Sequence, residues 1–185
     1  GTQMVFSELQ TFGLRTVWIL RDNRQVDPYR LARAGTGIDN DDYAALRDSG
    51  CCSAFIRLTP IVYGGRDAPL LARAGRNYSR VGLEGVDGNY LAINNDTIAG
   101  GRGFSADDID RGRHVAIIGE QVRRELFGDR SNPVGTELRL GNEKFEIIGV
   151  LTEKDRSLLA SIGSGGGQNT NARLLVPYRR VQLMN

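Results

Sequence analysis

The chain has 185 residues, which is enough for one domain or two small lobes with a buried core. It is 40% hydrophobic and 25% charged, a composition typical of folded globular proteins rather than of disordered ones. The 24 basic and 22 acidic residues leave a formal net charge of +2, so we expect no nucleic-acid partner.

The first 50 residues predict one strand and one helix. Residues 14–20 are rich in β-forming side chains and predict a strand. Asp39 or Asn40 can cap a helix that runs through Arg47, because short polar side chains accept hydrogen bonds from the free amides of a first helical turn.

The next segment predicts two strands separated by irregular chain. Residues 54–63 form the first of these strands, in which Pro60 indicates an edge or a bulge. Residues 64–67 predict a hairpin turn that leads into an irregular segment over 66–79. Residues 80–87 form the next strand.

Residues 113–128 predict a strand followed by a short helix. The apolar run 115–118 ends at a glycine, as expected for a strand that is buried on both faces. Val122 and Leu126 then share one face of a helix that Gly128 can end by adopting a positive φ angle.

A β-hairpin follows. Leu138 and Leu140 alternate with charged residues, and the pair 141–142 can supply the positive φ angles of a tight turn. Gly149 in the return strand indicates a bulge or a close approach of another backbone. The inward-facing residues of the return strand are predicted to be Phe145, Ile147 and Val150.

The end of the chain predicts a loop and a strand. Residues 161–171 contain only small and polar side chains apart from one isoleucine, which indicates a loop. Residues 173–177 form the last predicted strand.

The sequence contains no recognisable catalytic arrangement, so we predict no catalytic residue, cofactor or metal. The glycines do not complete a dinucleotide-binding fingerprint. Neither Lys144 nor Lys154 follows a glycine, which excludes a phosphate-binding loop. His114 is the only histidine, and we interpret it as structural rather than as a general base. An enzyme is therefore the least expected class.

Two clusters allow alternative interpretations. Asp107, Asp108 and Asp110 could suggest calcium, but their spacing differs from that of known calcium loops, and Ser105 with Asp108 fits a helix-capping box. The adjacent Cys51 and Cys52 are either two small residues entering a strand, or a vicinal or intermolecular disulfide in an oxidising compartment.

Several motifs in a fixed order resemble one protein family. In residues 114–151 these are His-Val-Ala-Ile-Ile-Gly, Leu-Phe-Gly, Asn-Pro-Val-Gly, Leu-Arg-Leu-Gly and Phe-Glu-Ile-Ile-Gly-Val-Leu. Flanking motifs are Gly-Asn-Tyr-Leu at 88–91, Gly-Arg-Gly-Phe-Ser at 101–105 and Leu-Val-Pro-Tyr at 175–178. Together they resemble the periplasmic core domain of MacB-type (MacB/FtsX-like) ABC transporter permeases.

The resemblance implies an α+β fold: a two-lobed extracytoplasmic domain with mixed β-sheets. Residues 1–87 and 173–185 would form a porter-like lobe, and residues 88–172 a small inserted α/β lobe. No stretch approaches the ~20 apolar residues that a transmembrane helix needs, and residues 1–20 do not have the pattern of a signal peptide. Membrane attachment is therefore expected through flanking helices that lie outside this chain.

The same resemblance implies the function. The chain would be the periplasmic domain of a permease in the bacterial inner membrane, coupling ATP hydrolysis in the cytoplasm to export or release of a substrate. Its partners would be an ABC ATPase domain or subunit, a second permease copy, and a periplasmic adaptor with an outer-membrane channel. The alternative is an extracytoplasmic ligand-binding or sensor domain of a membrane protein.

Two surfaces are candidates for contact with partners. The first is the glycine-rich loop, at Ser164, Gly165, Gly166 and Gly167. The second is the charged segment that contains Asp107, Asp108 and Arg111. Both are chosen because loops and exposed charges carry binding function more often than regular elements do.

Overall fold

The computed structural model of the chain describes residue 19 and residues 39–48, 57–64, 70–129, 132–154 and 170–184. The chain divides into two compact units, Gly1–Leu58 and Thr59–Asn185. The strand predicted over 14–20, the cysteines at 51 and 52, and the loop over 161–169 lie outside the described residues, apart from Ile19.

In the first unit the structure describes one helix, α1 (Asn40–Asp48). The carboxylate of Asp39 accepts hydrogen bonds from the amides of Asp41 and Asp42 at 2.8 and 2.9 Å. The predicted N-terminal cap is thus confirmed. None of the helical residues is buried within the described structure.

The described residues of the second unit contain eight strands, four α-helices and one short 3-10 helix (Thr170–Ala172). The strands are β1 (Val62–Gly64), β2 (Leu70–Ala74), β3 (Asn77–Val86), β4 (Ile98–Gly101), β5 (Val115–Ile118), β6 (Glu137–Leu140), β7 (Glu143–Leu151) and β8 (Arg173–Pro177). The helices are α2 (Tyr90–Ile93), α3 (Ala106–Asp110), α4 (Glu120–Phe127) and α5 (Tyr178–Met184). None of the described helices is long and apolar enough to cross a membrane.

All the described strands belong to one mixed sheet. Strands follow the order β1-β3-β2-β6-β7-β5-β8, and β4 pairs with β7. An additional parallel pairing of β3 with β8 joins the two ends, so that β3, β2, β6, β7, β5 and β8 form a closed circuit. The α+β class with mixed pairing is therefore confirmed.

The two faces of the sheet carry separate hydrophobic clusters. The larger cluster takes residues from all six strands of the circuit and from α4 and α5, and Phe145 and Leu126 are among its largest fully buried side chains. The smaller cluster lies on the opposite face, where Tyr90 of α2 and Phe104 cover part of β8, β5 and β7. Burial of this apolar area is the main force that stabilises the unit.

Strand β5, helix α4 and the following hairpin form as the sequence predicted, apart from one turn residue. Strand β5 is buried at all four positions, and Val122 and Leu126 of α4 are buried against the larger cluster. Gly128 ends α4 with a φ of 83°. In the hairpin turn Gly141 has a φ of 59°, but Asn142 does not adopt a positive φ.

Gly149 was predicted to mark either a bulge or a close approach of another backbone, and the structure shows both. The register between β5 and β7 shifts by one residue between Ala116 and Ile117, whose partners are Ile147 and Gly149. A β-carbon on Gly149 would lie 2.6 Å from the carbonyl oxygen of Arg102. The missing side chain therefore lets the 102–105 segment lie directly on the sheet.

Two predictions for residues 54–79 are wrong. Within the described part of the first predicted strand, residues 57–61 are not strand, and β1 covers only Val62–Gly64. The segment predicted as irregular contains β2, which turns at Gly75 (φ 57°) into β3. Leu70–Ala74 contains no β-branched or aromatic residue and two alanines, so its local strand propensity is low, and β2 is stabilised by pairing with β3 on one side and β6 on the other.

The lobe boundaries near residues 88 and 172 stay a prediction. The compact units divide instead between Leu58 and Thr59, and the sheet contains strands from both predicted lobes.

Candidate functional site

A buried ionic cluster lies where β3 meets β8. We use this name for Glu84, Tyr90, Asp96, Lys154 and Arg173. Glu84 lies near the end of β3, and Arg173 is the first residue of β8, which runs parallel to β3. Both side chains point to the face that carries the smaller hydrophobic cluster, because Glu84 pairs in register with Leu175 of that cluster.

Asp96 is the centre of this cluster. Its side chain is 1% exposed, and its Oδ1 atom accepts from Arg173 Nη2 at 2.9 Å and lies 2.8 Å from Lys154 Nζ. The same ammonium donates to the carbonyl oxygen of Asn94 at 2.6 Å. Buried charges are tolerated only when they are paired, so Asp96 is the partner that allows both cations to leave water.

Tyr90 links the arginine to the second carboxylate. Arg173 Nη1 donates to the Tyr90 hydroxyl oxygen at 3.1 Å, and that hydroxyl donates to Glu84 Oε2. Burial raises the pKa of the Tyr90 phenol, which keeps the proton available for this bond. Burial also raises the pKa of the Glu84 carboxyl, although the Tyr90 hydrogen bond and the charge of Arg173 act in the opposite direction.

Arg173 remains charged in this setting. Burial alone would lower the pKa of its guanidinium, but the hydrogen bond and charge of Asp96 hold that pKa above its usual value. The guanidinium carbon lies 5.9 Å from the centroid of the Tyr90 ring, which adds a cation–π contact. The cluster thus fixes β3, the 90–96 segment and β8 relative to one another.

Next to the cluster, the Asn171 side chain is hydrogen-bonded to the backbone of Lys154, on the other side of residues 155–169. Its side chain accepts from the Lys154 amide and donates to the Lys154 carbonyl oxygen, both at 3.1 Å. Next to it, Gly119 donates its amide to the Arg173 carbonyl at 2.9 Å, and a β-carbon at Gly119 would lie 2.3 Å from the Asn171 carbonyl oxygen. Residues 154 and 171 are therefore held together just beyond the end of β7 and just before the start of β8.

The second part of the site is the α3 segment, which the sequence predicted. Ser105 and Asp108 form the predicted capping box, with Ser105 N donating to Asp108 Oδ2 at 2.9 Å and Asp108 N donating to Ser105 Oγ at 3.2 Å. Arg102 Nη1 lies 2.6 Å from the same carboxylate. Burial alone would raise the pKa of Asp108, but these hydrogen bonds hold it below its usual value.

The predicted contact residues differ in their exposure. Asp108 has a side chain that is 2% exposed, so its role is to fix α3. Asp107 and Arg111 lie at the surface, where Asp107 pairs with Arg111 at 2.6 Å and with Arg113 at 2.5 Å. The residues 164–167 lie outside the described structure. The contact role itself stays a prediction.

His114 is exposed and lies just before β5. Its Nε2 atom is 2.7 Å from Glu143 Oε2 and 3.0 Å from Arg180 Nη1. These contacts join β5, β7 and α5. Among the described residues, no group of three or more histidine, cysteine, aspartate or glutamate side chains could hold a metal ion.

The buried ionic cluster was not predicted from the sequence. The sequence does carry an indication of it, because Glu84 lies in the apolar second half of β3 and Arg173 is the one charged residue of β8. A charge at such a position requires a buried partner. The identity of that partner is not visible in the sequence, since Asp96 lies 77 residues from Arg173.

Comparisons with known proteins place this architecture in a family. Residues 3–185 match the family model of the MacB-like periplasmic core domain. PvdT, a pyoverdine export ATP-binding/permease protein of Pseudomonas entomophila, is 33% identical over 138 residues, which are 75% of this chain and 19% of that protein. MacB, a macrolide export ATP-binding/permease protein of Syntrophobacter fumaroxidans, is 28% identical over 131 residues, 71% of this chain and 17% of that protein.

Two solved structures share the fold. The periplasmic region of MacB from Actinobacillus actinomycetemcomitans superposes with a TM-score of 0.67 and 19% identity, covering 97% of this chain and 72% of that one. The extracellular domain of the noncanonic ABC-type transporter YknZ from Gram-positive bacteria gives a TM-score of 0.58 and 18% identity, covering 76% and 64%. Because the family model matches nearly the whole chain, the chain belongs to the family of MacB-like periplasmic core domains.

Proposed function

We propose that this chain is the periplasmic domain of an ABC transporter permease anchored in the bacterial inner membrane. The observation that carries the proposal is the family match over residues 3–185. The domain would couple ATP hydrolysis in the cytoplasm to export or release of a substrate across the cell envelope, without catalysing a reaction itself.

The names of the relatives support the inference that the full-length protein includes an ATPase. PvdT and MacB are export ATP-binding/permease proteins, and the aligned part of this chain covers only 19% and 17% of their lengths. We therefore infer that the ATPase belongs to another domain or subunit of the full-length protein. A pyoverdine-like or macrolide-like compound is the first substrate class to test.

The buried ionic cluster supports a mechanical role for the domain. Arg173 at the start of β8 is tied to Asp96 and, through Tyr90, to Glu84 of β3. Helix α5 follows β8 directly and packs Val181 against Gly85 of β3. A displacement of α5 would therefore move β3 and β8 together, which is how a hinge or shear motion is transmitted.

Partners would include a second permease copy and a periplasmic adaptor with an outer-membrane channel. Asp107 and Arg111 present charge at the surface for such contacts, while Asp108 holds α3 in place. Replacing residues 164–167 with a short turn tests the first candidate surface, the glycine-rich loop. Unchanged adaptor binding and transport in that variant would exclude the loop from the contact.

The proposal is tested in cells that lack the gene for the full-length protein. Restoring that gene should increase export of pyoverdine or resistance to a macrolide, and a variant with an inactive ATPase should not. An Asp96→Asn variant should lower export more than it lowers ATP hydrolysis, because coupling passes through the domain. Equal export with and without the gene, for both compounds and at matched expression, would contradict the proposal.

A further inference from the structure

The uncovered part of the sheet carries a concentration of arginine and large apolar side chains. The smaller hydrophobic cluster takes up only part of the sheet face on which it lies. On the same face, strands β2, β3, β6 and β7 leave a set of side chains exposed to solvent. We call this set the basic sheet face; it consists of Leu71, Arg73, Tyr78, Arg80, Arg139 and Lys144.

Strand register places three of its cations in one row. Arg73 of β2 lies directly opposite Arg139 of β6, and Arg139 lies directly opposite Lys144 of β7. Adjacent strands are about 4.8 Å apart, so the row spans about 10 Å. Like charges directly opposite one another destabilise a sheet, and stability of the fold does not explain why they occur at two consecutive pairs.

The positive charge of this face is only partly neutralised. Lys144 lies 3.1 Å from Glu137, and Arg73 Nε donates to the Gly75 carbonyl at 2.8 Å. Within the described residues, Arg80 and Arg139 have no ion-pair partner. The exposed carboxylates of these strands on this face are Glu137 and Glu146, against four exposed cations.

Apolar side chains lie among these cations. Leu71 is 53% exposed and lies opposite Arg80, and Tyr78 is 52% exposed and lies opposite Arg73. The Arg73 guanidinium carbon is 5.6 Å from the Tyr78 ring centroid. Tyrosine and arginine are enriched at protein–protein interfaces, where an apolar surface and a planar charge anchor the partner.

We infer that the basic sheet face is the docking surface for an acidic segment of another protein. Carboxylates of that segment would pair with Arg73, Arg80 and Arg139, and its apolar side chains would cover Leu71 and Tyr78. A second copy docking through the same face would bring two cation rows together, which charge repulsion opposes. A lipid headgroup would be attracted by any basic cluster, but three arginines with a half-exposed tyrosine on a rigid sheet favour a protein.

The test uses the natural full-length protein in its own cells, with a photo-crosslinking amino acid at position 71. We expect a crosslink to a different protein, at a segment rich in aspartate and glutamate. The double variant Arg73→Glu/Arg139→Glu should reduce this crosslink at least about fivefold, because it replaces attraction by repulsion. Reversing the acidic charges of the captured segment to lysine should restore the crosslink with that double variant.

A matched control is Arg124→Glu, which reverses an exposed arginine of α4 that is ion-paired with Glu153. It should leave the crosslink within about twofold of the wild-type level. The inference is overturned if the crosslinker captures a second copy of this protein or a lipid. It is also overturned if no adduct forms, if Arg124→Glu acts as strongly as the double variant, or if charge reversal in the partner restores nothing.

Discussion

Arg173 and Asp96 form a buried ion pair in which Nη2 and Oδ1 lie 2.9 Å apart. The two side chains are 6% and 1% exposed, so the pair has left water almost completely. Arg173 begins the strand that leads into α5, and Asp96 lies in the connection between α2 and β4. This contact therefore fixes the C-terminal strand to a distant part of the chain.

The first prediction concerns the charge of Asp96. In Asp96→Asn the ions Arg173 and Lys154 would remain buried without a carboxylate, and we expect a loss of about 3–5 kcal/mol in the free energy of unfolding. Urea unfolding of the 185-residue chain measures this loss. Glu137→Gln is the control, because it removes an exposed ion pair with Lys144 and should cost at most about 1 kcal/mol. Equal effects of the two substitutions would show that burial of the pair has no energetic consequence.

The second prediction concerns pH and Glu84. Because burial raises the pKa of this carboxyl, the folded state binds the proton more tightly than the unfolded chain does. Glu84 therefore stabilises the fold fully when the pH is below about 4.3, which is the ordinary pKa of glutamate. This stabilisation is lost as the pH rises through the higher pKa that Glu84 has in the folded state. The difference in unfolding free energy between wild type and Glu84→Gln should accordingly fall as the pH rises.

Tyr90→Phe provides the second variant for this test. Without the Tyr90 hydrogen bond, which lowers the pKa of Glu84, the same loss should occur at higher pH. Unfolding measured in urea at a series of pH values gives both curves. If the difference in unfolding free energy between wild type and Glu84→Gln does not vary with pH, the pKa of Glu84 is not raised in the folded state.

The third prediction concerns the close contact at Gly149. A β-carbon there would lie 2.6 Å from the Arg102 carbonyl oxygen, so Gly149→Ala must displace the 102–105 segment. We expect a loss of about 1–3 kcal/mol, the usual cost of overpacking. Gly100→Ala is the matched control on the neighbouring strand, where an added β-carbon meets no atom within 4 Å. It should be neutral or stabilise by up to about 1 kcal/mol, and thermal unfolding of both variants compares them.

The fourth prediction concerns the contact between Asn171 and Lys154. Asn171→Ala removes both hydrogen bonds to the Lys154 backbone, so residues 154 and 171 should separate more often. The expected result is faster protease cleavage between residues 155 and 169. Asn142→Ala changes an exposed asparagine in the β6–β7 turn and should leave the cleavage rate unchanged. A cleavage rate in Asn171→Ala that equals that of wild type would contradict this role.

Short-range patterns determined much of the fold. The apolar run of β5, the i, i+4 pair of α4, the alternation in β6 and the apolar strand β8 each reflect a period that the local sequence displays. Gly149 was predicted correctly because only two local explanations, a bulge or a close contact, account for a glycine at that position. The capping box of α3 is likewise complete within four residues.

The sequence by itself thus determined the family resemblance, the type of most elements in the second unit and the cap of α3. The tertiary structure alone decided that Leu70–Ala74 is a strand, because pairing with β3 and β6 supplies what weak propensity does not. It also decided which charges meet. The partners of Arg173, and the row formed by Arg73, Arg139 and Lys144, lie far apart in the chain, and only strand register brings them together. Local propensity contains no information on such contacts, because they depend on how distant strands pair.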